Sequence, residues 1–475
     1  RDYYASRGLG DVYKRQMVFI VAKWNVIILI KKNMYMKKEK GAEILMKKRR
    51  NISISVLLIF GMFVCMLTGC SGKSGKEEEV TEIEILQYKQ EAAAYFEKVE
   101  EKFNATHKNI RLKIESPNDA STIMRTRFIR EDYPDIIGIG GDINYSYFLD
   151  AEILMDISDY KGLDEIKESY KEIDKNLEFV PTDGVYAVPY AGNAAGILYN
   201  KKIFEEHGWK IPQTWSELMN LCDEIQAAGL QPFTMGFKDT WTCLAPWNGL
   251  AVDLAPSDVC RQVNQGKTTF TENYREVAEK MLQLLSYGPK DPFAYNYNDA
   301  CTAFARGEAV MYPIGSYAVP QIQSVNPDME IDSFVFPGSD KKEENTLNSG
   351  IDLQFCVTKE CKNKEAAYEV LDFLLEDENV QDYLNEQNSV PCKEGEFELS
   401  PMLDGVRQYI EEENMADYQD HYYPSEMAVD AQIQTLLIDK DVDAFLKKFD
   451  KDWQRYNRDI IQKVQKYEAE QTHSK

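Results

Sequence analysis

The chain has 475 residues, 44% hydrophobic and 12% aromatic, which is ample for more than one buried core and excludes a disordered protein. Its formal charge of −24 is unevenly spread: residues 1–69 carry 14 Lys/Arg against 4 Asp/Glu, and the remainder carries 41 against 75, near −34. A body that acidic, with no basic stripe, repels phosphate backbones and anionic headgroups and excludes nucleic-acid binding.

In chain order, residues 1–45 hold a basic and apolar stretch that has no role upstream of a complete export signal, and they read as spurious upstream translation, with Met46 as the expected start. Residues 46–69 run from Lys47, Lys48, Arg49 and Arg50 through an apolar stretch to Leu67-Thr68-Gly69, the order of a signal peptide. The apolar run is shorter than the ~20 residues a membrane span needs. The small residues before Cys70 resemble the lipobox of bacterial lipoproteins, which implies lipidation of Cys70 and a membrane anchor on the extracytoplasmic face. Residues 70–80 are expected to form a tether, because 71–79 are polar and glycine-containing.

From Glu82 onward the pattern is regular. Ile83 and Ile85 alternate as in a strand, Tyr95, Phe96, Val99 and Phe103 recur at helical spacing, and Ile110, Leu112 and Ile114 alternate again, predicting a β–α–β opening. The run 136–139 predicts a buried strand, Asp183-Gly184 a turn before a strand at 185–188, and 233–236 a further strand. Helices are predicted over 215–227, 274–285, 364–375 and 428–449, so the fold class is α/β with helix-covered strands.

The stretch Pro189-Tyr190-Ala191-Gly192-Asn193-Ala194-Ala195-Gly196-Ile197-Leu198-Tyr199-Asn200-Lys201, followed by Pro212-Gln213-Thr214-Trp215, resembles the family 1 extracellular solute-binding proteins. Tyr133-Pro134-Asp135-Ile136-Ile137, Ala303-Phe304-Ala305-Arg306-Gly307-Glu308, Gly315-Ser316-Tyr317 and Asn363-Lys364-Glu365-Ala366-Ala367 match in the same order. The resemblance spans about residues 82–455 and implies a two-lobed, periplasmic-binding-protein-like (type II) fold with an interlobe cleft and a hinge. Its lobes are expected at 81–189 with 337–390, and at 190–336 with 391–475. The implied function is capture of a small solute, a mono- or oligosaccharide, for an ABC importer whose permease subunits receive it; no cofactor and a monomeric state are expected.

A sugar presents two apolar faces and a rim of hydroxyls, so its site needs aromatic planes and fixed polar groups. At the family's cleft positions the resemblance places Tyr317, where relatives carry a larger ring, Asn193, and Asp142 after the 136–139 strand. Trp241, Trp247, Asp352 and Glu91 are further ligand candidates, with core packing competing for the tryptophans, helix capping for Asp352 and a surface position for Glu91. Tyr422, Tyr423 and Asp430 read as surface residues, and the role of His421 stays open. The nine cysteines form no CxxC pair and no cluster with histidine, so no metal is expected, and their pairing is open. The competing functions are a surface-anchored glycoside hydrolase-like enzyme, against which stands the absence of a GxSxG, HExxH or P-loop motif, and a ligand sensor for a signalling receptor.

Overall fold

The computed structural model describes residues 80–473. Cys70, the signal peptide, the tether before Val80 and the segment 1–45 lie outside the described residues.

Eleven strands are described: β1 (Thr81–Gln87), β2 (Ile110–Glu115), β3 (Ile136–Ile139), β4 (Val188–Gly192), β5 (Ile197–Asn200), β6 (Met311–Tyr312), β7 (Ile331–Phe334), β8 (Leu347–Asn348), β9 (Ile351–Val357), β10 (Val390–Pro391) and β11 (Met415–Ala416). Six of them make one sheet in the order β10-β4-β9-β3-β1-β2. The predicted β–α–β opening is its parallel edge: β1 pairs with β2 from Thr81↔Ile110 to Leu86↔Glu115, joined by the helix Ala93–Thr106. Successive residues of β1 and β3 serve opposite faces. Ile83, Ile85 and Ile136 join one core with Tyr95, Phe96, Val99 and Phe103, and Leu86, Ile137 and Ile139 join another with Met124, Tyr145 and Phe148. Both faces are therefore covered by helices, as the continuous apolar run of β3 requires.

A second sheet, β6-β5-β7, is antiparallel and lies in a different core. That core gathers side chains from Ile197 to Phe336 and again from Tyr423 to Ile461, whereas the core under β1 gathers them from Ile83 to Ala191 and from Leu353 to Leu384. Two sheets with two cores, each assembled from two separated stretches of chain, make two lobes.

Between the lobes the chain crosses in paired segments. The Asn193 N–H donates to the Gly350 carbonyl (3.2 Å), the Ala195 N–H to the Asn348 carbonyl (2.9 Å), and β8 pairs with β11. Asp253 fastens the same region, accepting from Gly338 N (2.8 Å) and Thr346 N (2.9 Å). Away from these crossings, the Arg261 guanidinium donates to the carbonyls of Lys175 (3.2 Å) and Asn176 (3.1 Å) at the end of the helix Glu168–Leu177.

Several expectations are corrected. The first sheet keeps residues 190–192 and Pro391, which the expected boundaries gave to the second lobe, because β4 stays paired to β9 as far as Gly192↔Ile351 and to β10 through Ala191↔Pro391. Residues 233–236 form no strand; Phe233 makes an isolated bridge to Met311. The helix expected over 428–449 is two helices, Val429–Asp439 and Val442–Tyr456, broken at Lys440, whose φ of 57° is left-handed, and restarted by Asp441, which accepts from Ala444 N (2.9 Å).

Candidate functional site

The aromatic side of the site is built on the second lobe. Tyr317 follows Gly315 in the short turn Ser316–Ala318, and a Cβ on Gly315 would sit 2.3 Å from the Tyr317 ring, so only glycine lets the ring fold back over its own backbone. Trp241 stands on the turn Thr240–Cys243, where buried Thr242 and Cys243 point inward and leave the indole outward. That turn is pinned from both sides: Asp239 accepts from Tyr297 N (3.0 Å), and Asp430 accepts from the Thr240 hydroxyl. The Trp241 ring lies 6.4 Å from Tyr317 and 5.0 Å from Tyr297, tilted about 50° to each. Trp241 is 41% and Tyr317 40% exposed, large aromatic surfaces left in water by residues whose neighbours are core.

The polar side comes from four stretches far apart in sequence. After β3, Asp142 caps the helix Ile143–Asp150, accepting from Asn144 N (2.7 Å) and Asn144 Nδ2 (3.0 Å). On β9, Asp352 takes Lys89 Nζ at 2.9 Å, and Lys89 also reaches Glu91 at 2.7 Å. The Tyr88 hydroxyl donates to the Asp352 carbonyl. From the loop after β11 come Asp417, Tyr418, Asp420 and His421. The His421 imidazole lies 2.7 Å from Asp417 Oδ1, and Asp420 accepts from Asn248 Nδ2 at 2.8 Å.

Electrostatics joins these pieces. Burial pushes the His421 imidazole down, but Asp417, then Asp420 and Asp142, outweigh it and lift the group to about 10, so it is an imidazolium at neutral pH. Burial raises the Asp142 and Asp420 carboxyls, and His421 opposes both shifts. The Tyr317 ring keeps one face exposed, while desolvation of its hydroxyl end, followed by the Asp420 and Asp352 charges, raises its phenol. Asp417 Oδ2 and the Tyr418 hydroxyl are buried and without a hydrogen-bond partner.

Of the residues singled out in the sequence, Tyr317, Trp241, Asp142 and Asp352 converge here. Asn193 sits beside them in a crossing segment, its carboxamide oxygen accepting from Gly350 N (3.4 Å) and its carbonyl from Ser349 Oγ (2.6 Å). Glu91 is 59% exposed and touches the site through Lys89. Trp247 does not belong to it. Its side chain is fully buried, packs on Tyr274 and Phe445, and donates to the Tyr423 hydroxyl at 3.2 Å, because its face of the helix Leu244–Leu254 points into the core. Tyr423 is correspondingly core, Tyr422 is half-buried and Asp430 anchors the Trp241 turn, so none of the three is a free surface residue. Sequence reasoning missed Tyr88, Lys89, Tyr297, Asp417, Tyr418 and Asp420; the one signal available was the dense polar-aromatic run 417–423.

Two α/β lobes joined by crossing strands, with aromatic and carboxylate side chains brought together from both, have the architecture of a binding protein. A family model described as bacterial extracellular solute-binding protein matches residues 87–381, and the chain belongs to that family. Among its relatives, the multiple sugar-binding protein of Streptococcus mutans is 29% identical over 356 residues, 72% of this chain and 83% of that protein. The apo form of RafE from Streptococcus pneumoniae has the same fold, with a TM-score of 0.71 at 22% identity over 82% of this chain and all of that one. RafE in complex with raffinose superposes with a TM-score of 0.66 at 22% identity, covering 80% of this chain and all of that one. Among the described residues no helix is long and apolar enough to cross a membrane.

Proposed function

We propose that this chain captures a carbohydrate, a mono- or oligosaccharide, outside the cytoplasmic membrane and hands it unaltered to the permease subunits of an ABC importer. The observation that carries this reading is the pairing of an exposed aromatic wall, Tyr317 and Trp241, with the fixed acceptors Asp417 and Tyr418. Aromatic planes suit the C–H faces of a pyranose and carboxylates suit its hydroxyl rim. Relatives named for multiple sugars and for melibiose, raffinose and stachyose support the same class. In this reading the protein is a monomer held by a lipid on Cys70, and the lobes rock about the crossing segments near 193–195 and 337–350. A guest touching both lobes gives the closed state contacts that the open state lacks.

The test is a thermal-shift screen of the purified exported chain against a sugar panel, followed by chromatography of the recovered ligand. A true ligand at one hundred times its Kd adds about 2.7 kcal/mol of stability and a clear rise in Tm. A panel without any shift, or recovery of shortened products, would overturn the proposal.

A further inference from the structure

The charges that line the cleft do not balance. Asp142, Asp352, Asp417 and Asp420 supply four carboxylates, with Glu91 at the margin, and among the described residues two cations answer them. Both cations are already committed. Lys89 Nζ is shared between Asp352 at 2.9 Å and Glu91 at 2.7 Å, and His421 Nδ1 is held by Asp417 at 2.7 Å with Asp420 and Asp142 as its further charged neighbours. Arg125 meets Asp142 at one remove, donating to Asn144 Oδ1 at 2.7 Å. What the cleft has left over are acceptors: Tyr418, 7% exposed, keeps an unpartnered hydroxyl, and Asp417, with a side chain 6% exposed, keeps Oδ2, with the Tyr422 phenol beside the carboxylate.

From this arrangement, and resting on the sugar reading above, we infer that the cleft selects uncharged sugars and rejects their acidic counterparts, uronates and sugar phosphates, through its uncompensated aspartates. A neutral hydroxyl satisfies Asp417 Oδ2 by donating to it, whereas a ligand carboxylate brings more acceptors and no proton. An anion drawn into this space would be desolvated beside Asp142, Asp417 and Asp420, where Lys89 and His421 are already held by carboxylates and the Arg125 guanidinium stands behind Asn144, donating to its Oδ1. Coulomb repulsion between like charges a few ångströms apart is strengthened by the low local dielectric. Sites that take anionic groups offer the opposite, an uncommitted guanidinium able to form two parallel bonds.

The experiment is calorimetric titration of the exported chain at pH 7 and 0.15 M salt with neutral mono- and oligosaccharides, each beside its uronate and phosphate counterpart. We expect every neutral sugar that binds to exceed its acidic counterpart by a hundred-fold or more. The double variant Asp142→Asn/Asp420→Asn, checked for folding by calorimetry, should narrow that ratio by at least ten-fold. An acidic sugar within ten-fold of its neutral partner overturns the inference and leaves the sugar reading standing, as does a folded double variant that binds neutral sugar with the ratio unmoved. Silence from the whole panel overturns both.

Discussion

His421 Nδ1 lies 2.7 Å from Asp417 Oδ1, and that contact keeps a buried imidazole charged. Because the folded-state value of about 10 stands above the ordinary 6.5, the stabilisation is complete below about pH 6.5 and is lost as pH climbs through about 10. Urea unfolding of the ligand-free protein should therefore show stability falling between pH 7 and pH 10. His421→Gln should flatten the fall, and a variant curve parallel to the wild type would remove His421 as its source.

Tyr317 offers its ring to solvent and takes little part in a core, so its removal separates binding from folding. Tyr317→Ala is expected to weaken sugar binding ten-fold or more, measured by titration calorimetry, while the Tm of the ligand-free protein stays within about 2 °C of wild type. Unchanged affinity would take Tyr317 out of the site.

The two tryptophans six residues apart should behave in opposite ways. Trp247→Ala empties a fully buried position and should cost roughly 3–5 kcal/mol of stability by denaturant unfolding. Trp241→Ala should cost under about 1 kcal/mol in the same assay and yet reduce sugar affinity. Equal losses of stability would contradict the placement of Trp241 outside the core.

Lys89 and Asp352 carry side chains 12% and 15% exposed, so removing one charge strands the other. Lys89→Met should destabilise the ligand-free protein by roughly 3 kcal/mol, near the lower end for a broken buried pair. The double change Lys89→Met/Asp352→Leu should recover much of that loss. If the double variant is no more stable than the single one, the pair is not what the lysine supports.

What was legible in the sequence was local. Residues 136–139 and 215–227 announce a strand and a helix by unbroken hydrophobicity and by amphipathic spacing, and the structure has both at those bounds. The motif Tyr199-Asn200-Lys201 is likewise local, since Asn200 caps the next helix by accepting from Ile203 N at 3.1 Å. Tyr317 was reachable through the family resemblance, which the local motif Gly315-Ser316-Tyr317 carries. The carboxylates were not, because Asp417 gains its meaning from Gly350 and Asp142, which lie far back in the chain. Trp247 stayed open between cleft and core for the reciprocal reason: a tryptophan on a helix shows its period but not which face meets the core until Tyr274 and Phe445 are packed against it. The break at Lys440 had a signal, the capping aspartate at 441, that the apolar period on either side masked.

Gly350 is where the crossing strands and the carboxylate loop touch. A methyl group there would lie 2.4 Å from Asp417 Oδ1, 2.8 Å from His421 Cε1 and 2.9 Å from the Tyr418 ring. If the lobes rock as proposed, no layer of padding separates the pivot from the groups that grip, and a rotation would be felt at once by the acceptor oxygens. In the proposed reading, a single added carbon at this point would retune the joint and the grip together, whereas Trp241, on a turn with its indole outward, can be exchanged with less effect on the crossing strands.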